Sequence, residues 1–213
     1  GPDAFQQLID AAGVRLGMTT RYDLGPYGLA KEMQLVHRLG GLRIVSGAGK
    51  GRGKTEKERV RDFADSMKPH AERAVELGIT LCIENHGNSL ISTPDSIRYF
   101  AEFTSNQRLG DPAGDHLGLA LAPYHLPQDS AQLARLITEL GPKLKHFYAW
   151  QHGMGCMKKL PKAQELLQRP GRGSLDFVPL LAALKKINYA GWTEIFMHPV
   201  PRGIPILPTA EAV

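Results

Sequence analysis

Residues 79–86, ITLCIENH, are the stretch of sequence that decides the fold class. An apolar run follows Gly78 and leads into a glutamate and a histidine. Because side chains alternate along a strand, Cys82, Glu84 and His86 are expected on one face. A carboxylate and an imidazole at the end of an apolar strand are expensive to bury unless they bind something. The stretch therefore predicts a buried strand that ends at a candidate functional site.

Apolar runs and amphipathic stretches alternate on both sides of this strand, as in the βα units of a parallel sheet. Strands are predicted at 14–19, 42–46, 79–85, 117–122, 144–150 and 192–197. Helices are predicted at 28–39, 55–77, 94–103, 129–140 and 175–187, and a long loop with one short helix at 152–174. The pattern predicts a single α/β domain over residues 1–213, with an open six-stranded sheet as one possible arrangement.

Four consecutive predicted strands carry a glutamate or a histidine at or just beyond their ends. Any one of these residues alone is more often a hydrogen-bonded structural group than a ligand, and Glu84 could be the ion-pair partner of Arg43. Convergence across several strands is instead typical of a site at the C-terminal rim of a barrel. The glutamates and histidines concerned are Glu84, His86, His125, His146, Glu194 and His198, and Tyr148 and Trp150 share the strand face of His146.

Four segments come in the order found in the xylose isomerase-like TIM barrels, a superfamily that this chain resembles. They are LCIENHG (81–87), LGLALAPYHLP (117–127), LKHFYAWQ (144–151) and PGRGSLDFVPLLAALKKINYAGW (170–192). The resemblance covers residues 14–200 and implies a (β/α)8 TIM-barrel type of fold. About six βα units are visible, so the first two are expected to be missing from this chain. The implied function is a sugar or sugar phosphate isomerase/epimerase-like enzyme of carbohydrate metabolism, which transfers a proton next to a carbonyl.

The superfamily usually binds one divalent metal through Glu, Asp, His and Glu, one from each of four successive strands. Glu84 matches the first of these ligands. The aspartate position, three residues before His125, is occupied by Ala122, and the histidine position by Tyr148. The last glutamate falls near Phe196 by one alignment and on His198 by another. The resemblance thus keeps one of the four ligands.

Either a rearranged ligand set or the loss of the metal would account for the three ligand positions that differ from the family pattern. The rearranged set would hold Zn or Mn, with Mg as a further option. Its expected ligands are Glu84, His146, Glu194 and His198, which share strand-face parity. Catalytic roles are expected for Glu84 and Glu194. Substrate contacts are expected from His86, His125, Tyr148, Trp150 and Arg172.

Two other functions fit parts of the sequence. The substitutions at the ligand positions of the family would also suit a degenerate, non-catalytic barrel that binds a sugar. In addition, AGKGRGKT at residues 48–55 matches a relaxed phosphate-binding loop between a strand and a helix, as in an NTP-binding protein. Lys50 and Arg52 stand where such loops usually carry small residues, so the sequence favours the isomerase.

Composition narrows the range of partners. The net charge of +5 comes largely from basic residues between Lys50 and Arg61, with no aromatic residue among them, so nucleic acid is not expected as a partner. No apolar run approaches the ~20 residues that span a bilayer, so no membrane association is expected. The start of the chain does not resemble a signal peptide, and two cysteines without metal-type spacing suit a cytoplasmic protein. Unpaired strand edges would favour a homo-oligomer.

Overall fold

The computed structural model describes residues 1–152, 161–198 and 209. Its strands form one six-stranded sheet in which they follow one another in chain order. They are β1 (Thr19–Thr20), β2 (Arg43–Ser46), β3 (Thr80–Glu84), β4 (Leu117–Leu121), β5 (Leu144–Ala149) and β6 (Trp192–Ile195). Neighbouring strands are parallel, as in the registered pairs β1–β2, β2–β3, β3–β4 and β5–β6. The alternation of strands and helices that the sequence predicts is confirmed.

Helices connect the strands, and several begin where the sequence places a capping residue. Their bounds are α1 (Pro2–Ala11), α2 (Ala30–Arg38), α3 (Glu56–Ser66), α4 (Lys68–Glu76), α5 (Pro94–Phe103), α6 (Asn106–Leu109), α7 (Ser130–Leu140), α8 (Lys162–Glu165) and α9 (Val178–Lys186). Thr55 and Thr93 each form a capping box at the start of α3 and α5. No helix in the described part of the chain is both long and apolar enough to cross a bilayer.

Two elements differ from the sequence prediction. The predicted helix 55–77 is two helices, because α3 ends and α4 begins around Met67. Pro69 lies in the first turn of α4, where its missing N–H is tolerated, whereas inside one continuous helix it would remove a hydrogen bond and clash with the preceding turn. The predicted strand 14–19 is reduced to β1, which lies at the edge of the sheet and pairs only with β2.

The chain forms two compact units. The first unit comprises Gly1–Ala120 and Pro142–Lys145, and the second comprises Leu121–Gly141 and His146–Val213. The core of the first unit lies between the sheet and its helices, where Phe63 of α3 and Phe100 of α5 stack with ring centroids 5.6 Å apart. The core of the second unit is formed largely by the buried faces of α7 and α9, which pack against each other.

Lys143 has a structural role in the first unit. Its ammonium donates to the backbone oxygens of Thr104 and Gly114 and, at 3.3 Å, to that of Leu117. Burial, followed by the nearby charge of Lys145, lowers the pKa of Lys143 to about 8. The side chain thus joins the end of α5, the turn before β4 and the start of β4.

Replacing Lys143 with methionine is expected to lower the free energy of unfolding by about 2 kcal/mol, because three backbone carbonyls lose a buried donor. Denaturant unfolding of the variant would measure this loss. Lys31→Met, at an exposed position of α2, is the matched control and should change the stability by less than ~0.5 kcal/mol. Equal stabilities of the two variants would contradict the role assigned to Lys143.

Candidate functional site

In the first unit, the polar residues at the end of β3 lie where the sequence predicts them. Glu84 is the last residue of β3 and is 4% exposed, and the Asn85 that follows is fully buried. His86 is exposed, and its Nδ1 lies 2.8 Å from the backbone oxygen of Gly87. Its ring lies 6.3 Å, centroid to centroid, from the ring of Tyr22, which follows β1. A buried carboxylate and an exposed imidazole therefore end this strand.

The register of the sheet argues against an ion pair between Glu84 and Arg43. Arg43 begins β2 opposite Thr80, and Glu84 lies four residues further along β3, which corresponds to ~13 Å. The Nε of Arg43 is buried without a hydrogen-bond partner among the described residues. Arg43 instead lies near Cys82, whose thiol pKa is raised by burial to about 12. The buried carboxylate of Glu84 thus calls for a different explanation.

In the second unit, neighbouring strands bring a histidine and a glutamate into contact. His146 of β5 is 1% exposed, and its Nε2 lies 3.1 Å from Oε2 of Glu194 on β6. The side chain of Glu194 is 33% exposed. The Nδ1 of His146 is buried and has no hydrogen-bond partner among the described residues, and the ring of Tyr148 packs edge-on at 4.6 Å. In the tautomer that forms this bond, His146 donates its proton to a carboxylate that is partly exposed to solvent.

Beyond the end of β5, Trp150 lies at the centre of an aromatic cluster. Tyr124 stacks on it, with ring centroids 3.9 Å apart and planes inclined by 9°. His125 and Phe196 contact it edge-on at 5.2 Å and 4.8 Å. Trp150 is 3% exposed, and Tyr124, His125 and Phe196 all contact its ring. His125 is half-buried, and the Nε2 of its ring is buried.

Two buried glutamines, Gln151 and Gln168, form hydrogen bonds between the segment after α8 and the residues that follow β5 and β6. The side-chain oxygen of Gln168 accepts hydrogen bonds from the indole N–H of Trp150, at 2.8 Å, and from the backbone N–H of His198, at 3.0 Å. Gln151 donates to the backbone oxygen of Arg169 at 2.5 Å and accepts from the backbone N–H of Leu175 at 2.8 Å. These bonds position the C-terminal ends of β5 and β6 with respect to the intervening segment.

The remaining predicted contacts are more exposed. His198 is half-buried, and its ring lies 6.3 Å from that of Phe196. Arg172, within the PGRGS segment, has an exposed side chain, whereas its backbone N–H closes a turn onto Arg169. The structure brings His146 and Glu194 together, and it brings His125 against Trp150. Convergence of Glu84 with the residues of the second unit stays a prediction.

Three backbone N–H groups of the glycine-rich loop at 48–55 bind carboxylates of α3. The backbone N–H groups of Lys54 and Thr55 donate to the carboxylate of Glu58 at 2.7 Å and 3.0 Å, and these bonds hold the pKa of that carboxyl below its usual value. The backbone N–H and guanidinium of Arg52 bind Asp62. A phosphate could use these three N–H groups only by displacing the carboxylates of Glu58 and Asp62. The geometry therefore disfavours the NTP-binding interpretation.

The donors of a metal site are not assembled in the described part of the chain. No three His, Cys, Asp or Glu side chains there lie close enough together to hold a metal ion. The pair formed by His146 and Glu194 is therefore not completed by a third such ligand from residues 1–152 or 161–198. The donor set that the structure describes therefore does not supply the three protein ligands of a zinc site.

Comparison with known proteins identifies the family. The sequence model described as "Xylose isomerase-like TIM barrel" matches residues 27–210, which is most of the chain. The chain belongs to this family. No curated protein matches it by sequence. The family assignment agrees with the parallel βα units and with the order of the strand-end segments.

Solved structures of this family share the fold at low identity. The 3-keto-D-glucoside 4-epimerase of E. coli superposes with a TM-score of 0.67 at 18% identity, over 93% of this chain and 77% of that one. The D-allulose 3-epimerase of Methylomonas sp., in complex with D-allulose, gives 0.64 at 18% over 93% and 68%. The IOLI protein with a bound zinc atom gives 0.65 at 15% over 93% and 73%. At these identities the similarity establishes the fold alone.

The sequence does not predict Tyr124 and Gln168 of the second unit as site residues, and it predicts Phe196 only as a position near the last metal ligand. Tyr124 and Phe196 belong to the aromatic cluster, and Gln168 binds both Trp150 and the backbone at His198. An aromatic residue directly before His125 was an available signal for Tyr124. Gln168 gave none, because a single glutamine in a polar segment does not reveal that it is 2% exposed.

Proposed function

We propose that the protein is a sugar isomerase or epimerase-like enzyme that moves a proton next to the carbonyl group of its substrate. The observation that carries this proposal is the hydrogen bond between His146 and the partly exposed carboxylate of Glu194. Membership of the family and the similarity of its fold to sugar epimerases support the same class of reaction.

In this proposal Glu194 is the general base and His146 positions it. The carboxylate removes the proton from the carbon next to the carbonyl, so a C–H bond breaks, an O–H bond forms on Glu194 and the electron pair enters an enediolate. Return of the proton from Glu194 to the neighbouring carbon gives an isomer, whereas an epimer forms when a second donor delivers a proton to the opposite face of the same carbon. The half-buried imidazoles of His125 and His198 are proposed to bind the sugar oxygens.

Deuterium exchange tests this reaction directly. The protein is incubated in D2O with D-fructose, D-allulose, D-tagatose, D-sorbose and D-fructose 6-phosphate. Proton NMR follows the signals of the hydrogens on the carbons next to the carbonyl. We expect enzyme-dependent exchange with at least one of these ketoses, because proton abstraction exchanges the hydrogen even when little epimer accumulates. Binding without exchange would support a non-catalytic sugar-binding barrel, and neither binding nor exchange would refute the proposal.

Metal dependence is measured in the same experiment. Since the described donors do not form a metal site, we expect less than one metal ion per chain after dialysis and unchanged exchange in the presence of a chelator. Zinc or manganese at one equivalent, with activity that a chelator abolishes, would show instead that a rearranged ligand set exists. Elemental analysis of the purified protein gives the metal content.

A further inference from the structure

Gln168 occupies a central place in the hydrogen bonding of the second unit. Its side chain is 2% exposed and contacts two candidate site residues that are far apart in sequence. The side-chain oxygen accepts from the indole of Trp150 and from the backbone N–H of His198, while the side-chain nitrogen lies 3.4 Å from the backbone oxygen of His198. Its own backbone oxygen accepts from the N–H of Gln151 at 3.0 Å. One buried amide thus joins the residues that follow β5 and β6.

Each partner of Gln168 supports an imidazole. The indole of Trp150 is held in one orientation by its bond to Gln168, and the ring of His125 packs edge-on against that indole. The two bonds to the backbone of His198 hold the chain in the segment that follows the end of β6. Loss of the Gln168 amide would therefore loosen the support of both imidazoles.

We propose that Gln168 is a positioning residue of the sugar site, which sets the placement of His125 through Trp150 and that of His198 through its backbone. The inference rests on the proposed function, in which these two imidazoles bind sugar oxygens. It assigns to Gln168 an effect on sugar binding that exceeds its effect on the proton-transfer step. A residue with a purely structural role would change the stability without changing how the sugar is held.

Tryptophan fluorescence gives a readout that needs no sugar. The chain has two tryptophans, and Trp192→Phe leaves Trp150 as the sole emitter. In this background Gln168→Met removes the acceptor at similar side-chain length, whereas Gln168→Glu keeps an oxygen that accepts from both N–H groups. Gln164→Met, at a half-exposed glutamine in α8, is the matched control. Circular dichroism and thermal unfolding establish that each variant is folded.

Gln168→Met should shift the emission of Trp150 and raise the KM for the ketose that exchanges fastest by ~10-fold or more, with a smaller change in kcat. Gln168→Glu should restore the emission and most of the affinity, and Gln164→Met should resemble the parent. Unchanged emission in Gln168→Met, or a loss confined to kcat, would overturn the inference. If Gln168→Met does not fold, failure of the folded Gln168→Glu to keep the parent emission overturns it.

Failure of the proposed function has a different signature. In that case the parent protein exchanges and binds none of the ketoses, whatever the emission of the variants shows. A parent that turns over a ketose, together with a Gln168→Met variant of unchanged KM, refutes the role of Gln168 alone.

Discussion

Replacing Glu194 with glutamine is expected to lower the rate of deuterium exchange by about 10²-fold to 10⁴-fold, the range that general acid–base catalysis contributes. The amide keeps the size of the side chain and can still accept a hydrogen bond from Nε2 of His146, so the fold and the sugar affinity should be retained. The loss should appear in kcat, because the carboxylate removes the proton in the chemical step. Exchange rates measured by NMR at saturating ketose test this expectation.

Glu139→Gln is the matched control, since Glu139 is an exposed glutamate of α7 in the same unit. It should exchange at the parent rate. The double variant Glu194→Gln, His146→Asn should be little slower than Glu194→Gln, because His146 is proposed to act through that carboxylate. A Glu194→Gln variant with full activity would remove Glu194 from the mechanism. A double variant much slower than the single one would show that His146 has a separate role.

Replacing Glu84 with glutamine should also lower turnover, by about 10²-fold or more, if it is the catalytic carboxylate that the sequence predicts. Glu84 ends β3 in a buried position, and the register separates it from Arg43 by most of the length of the strand. The neutral amide keeps the shape, so the fold should survive. Turnover and sugar affinity of the variant are measured alongside its thermal unfolding.

Glu72→Gln serves as the control for Glu84, because Glu72 lies on the exposed face of α4 beside Lys68, in a surface ion pair of the kind that contributes little. Unchanged turnover and unchanged sugar binding in Glu84→Gln would eliminate Glu84 from the site. A variant that unfolds, while Glu72→Gln remains stable, would instead assign Glu84 a structural role in the first unit.

Much of the fold could be predicted from local sequence, and the exceptions have physical causes. β3 and β5 are apolar runs bounded by turn residues, so their existence and approximate ends were predictable. The break at Met67 accompanies Pro69, but buried apolar residues continue at helical spacing on both sides of it, so the pattern by itself predicts one helix. β1 pairs only with β2, and this pairing is a property of the assembled sheet that residues 14–19 do not reveal by themselves.

The candidate site was predictable to a smaller extent. Strand parity placed His146 and Glu194 on the same face, and the structure brings them to 3.1 Å. Parity does not reveal which nitrogen is used, that the other nitrogen is buried, or that Trp150 is enclosed by rings from other segments. Gln168 was not predicted, because its importance arises from two partners brought together only by the folding of the second unit.

The bonds of the Lys143 ammonium also link the motions of three segments of the first unit. It binds carbonyls at the end of α5, in the turn before β4 and at the start of β4. All three segments are bonded to the same ammonium group, so a fluctuation that displaces this side chain breaks all three contacts at once. Residues from Thr104 to Leu117 should therefore open and close as one cooperative unit, so that their amide protons exchange with solvent together.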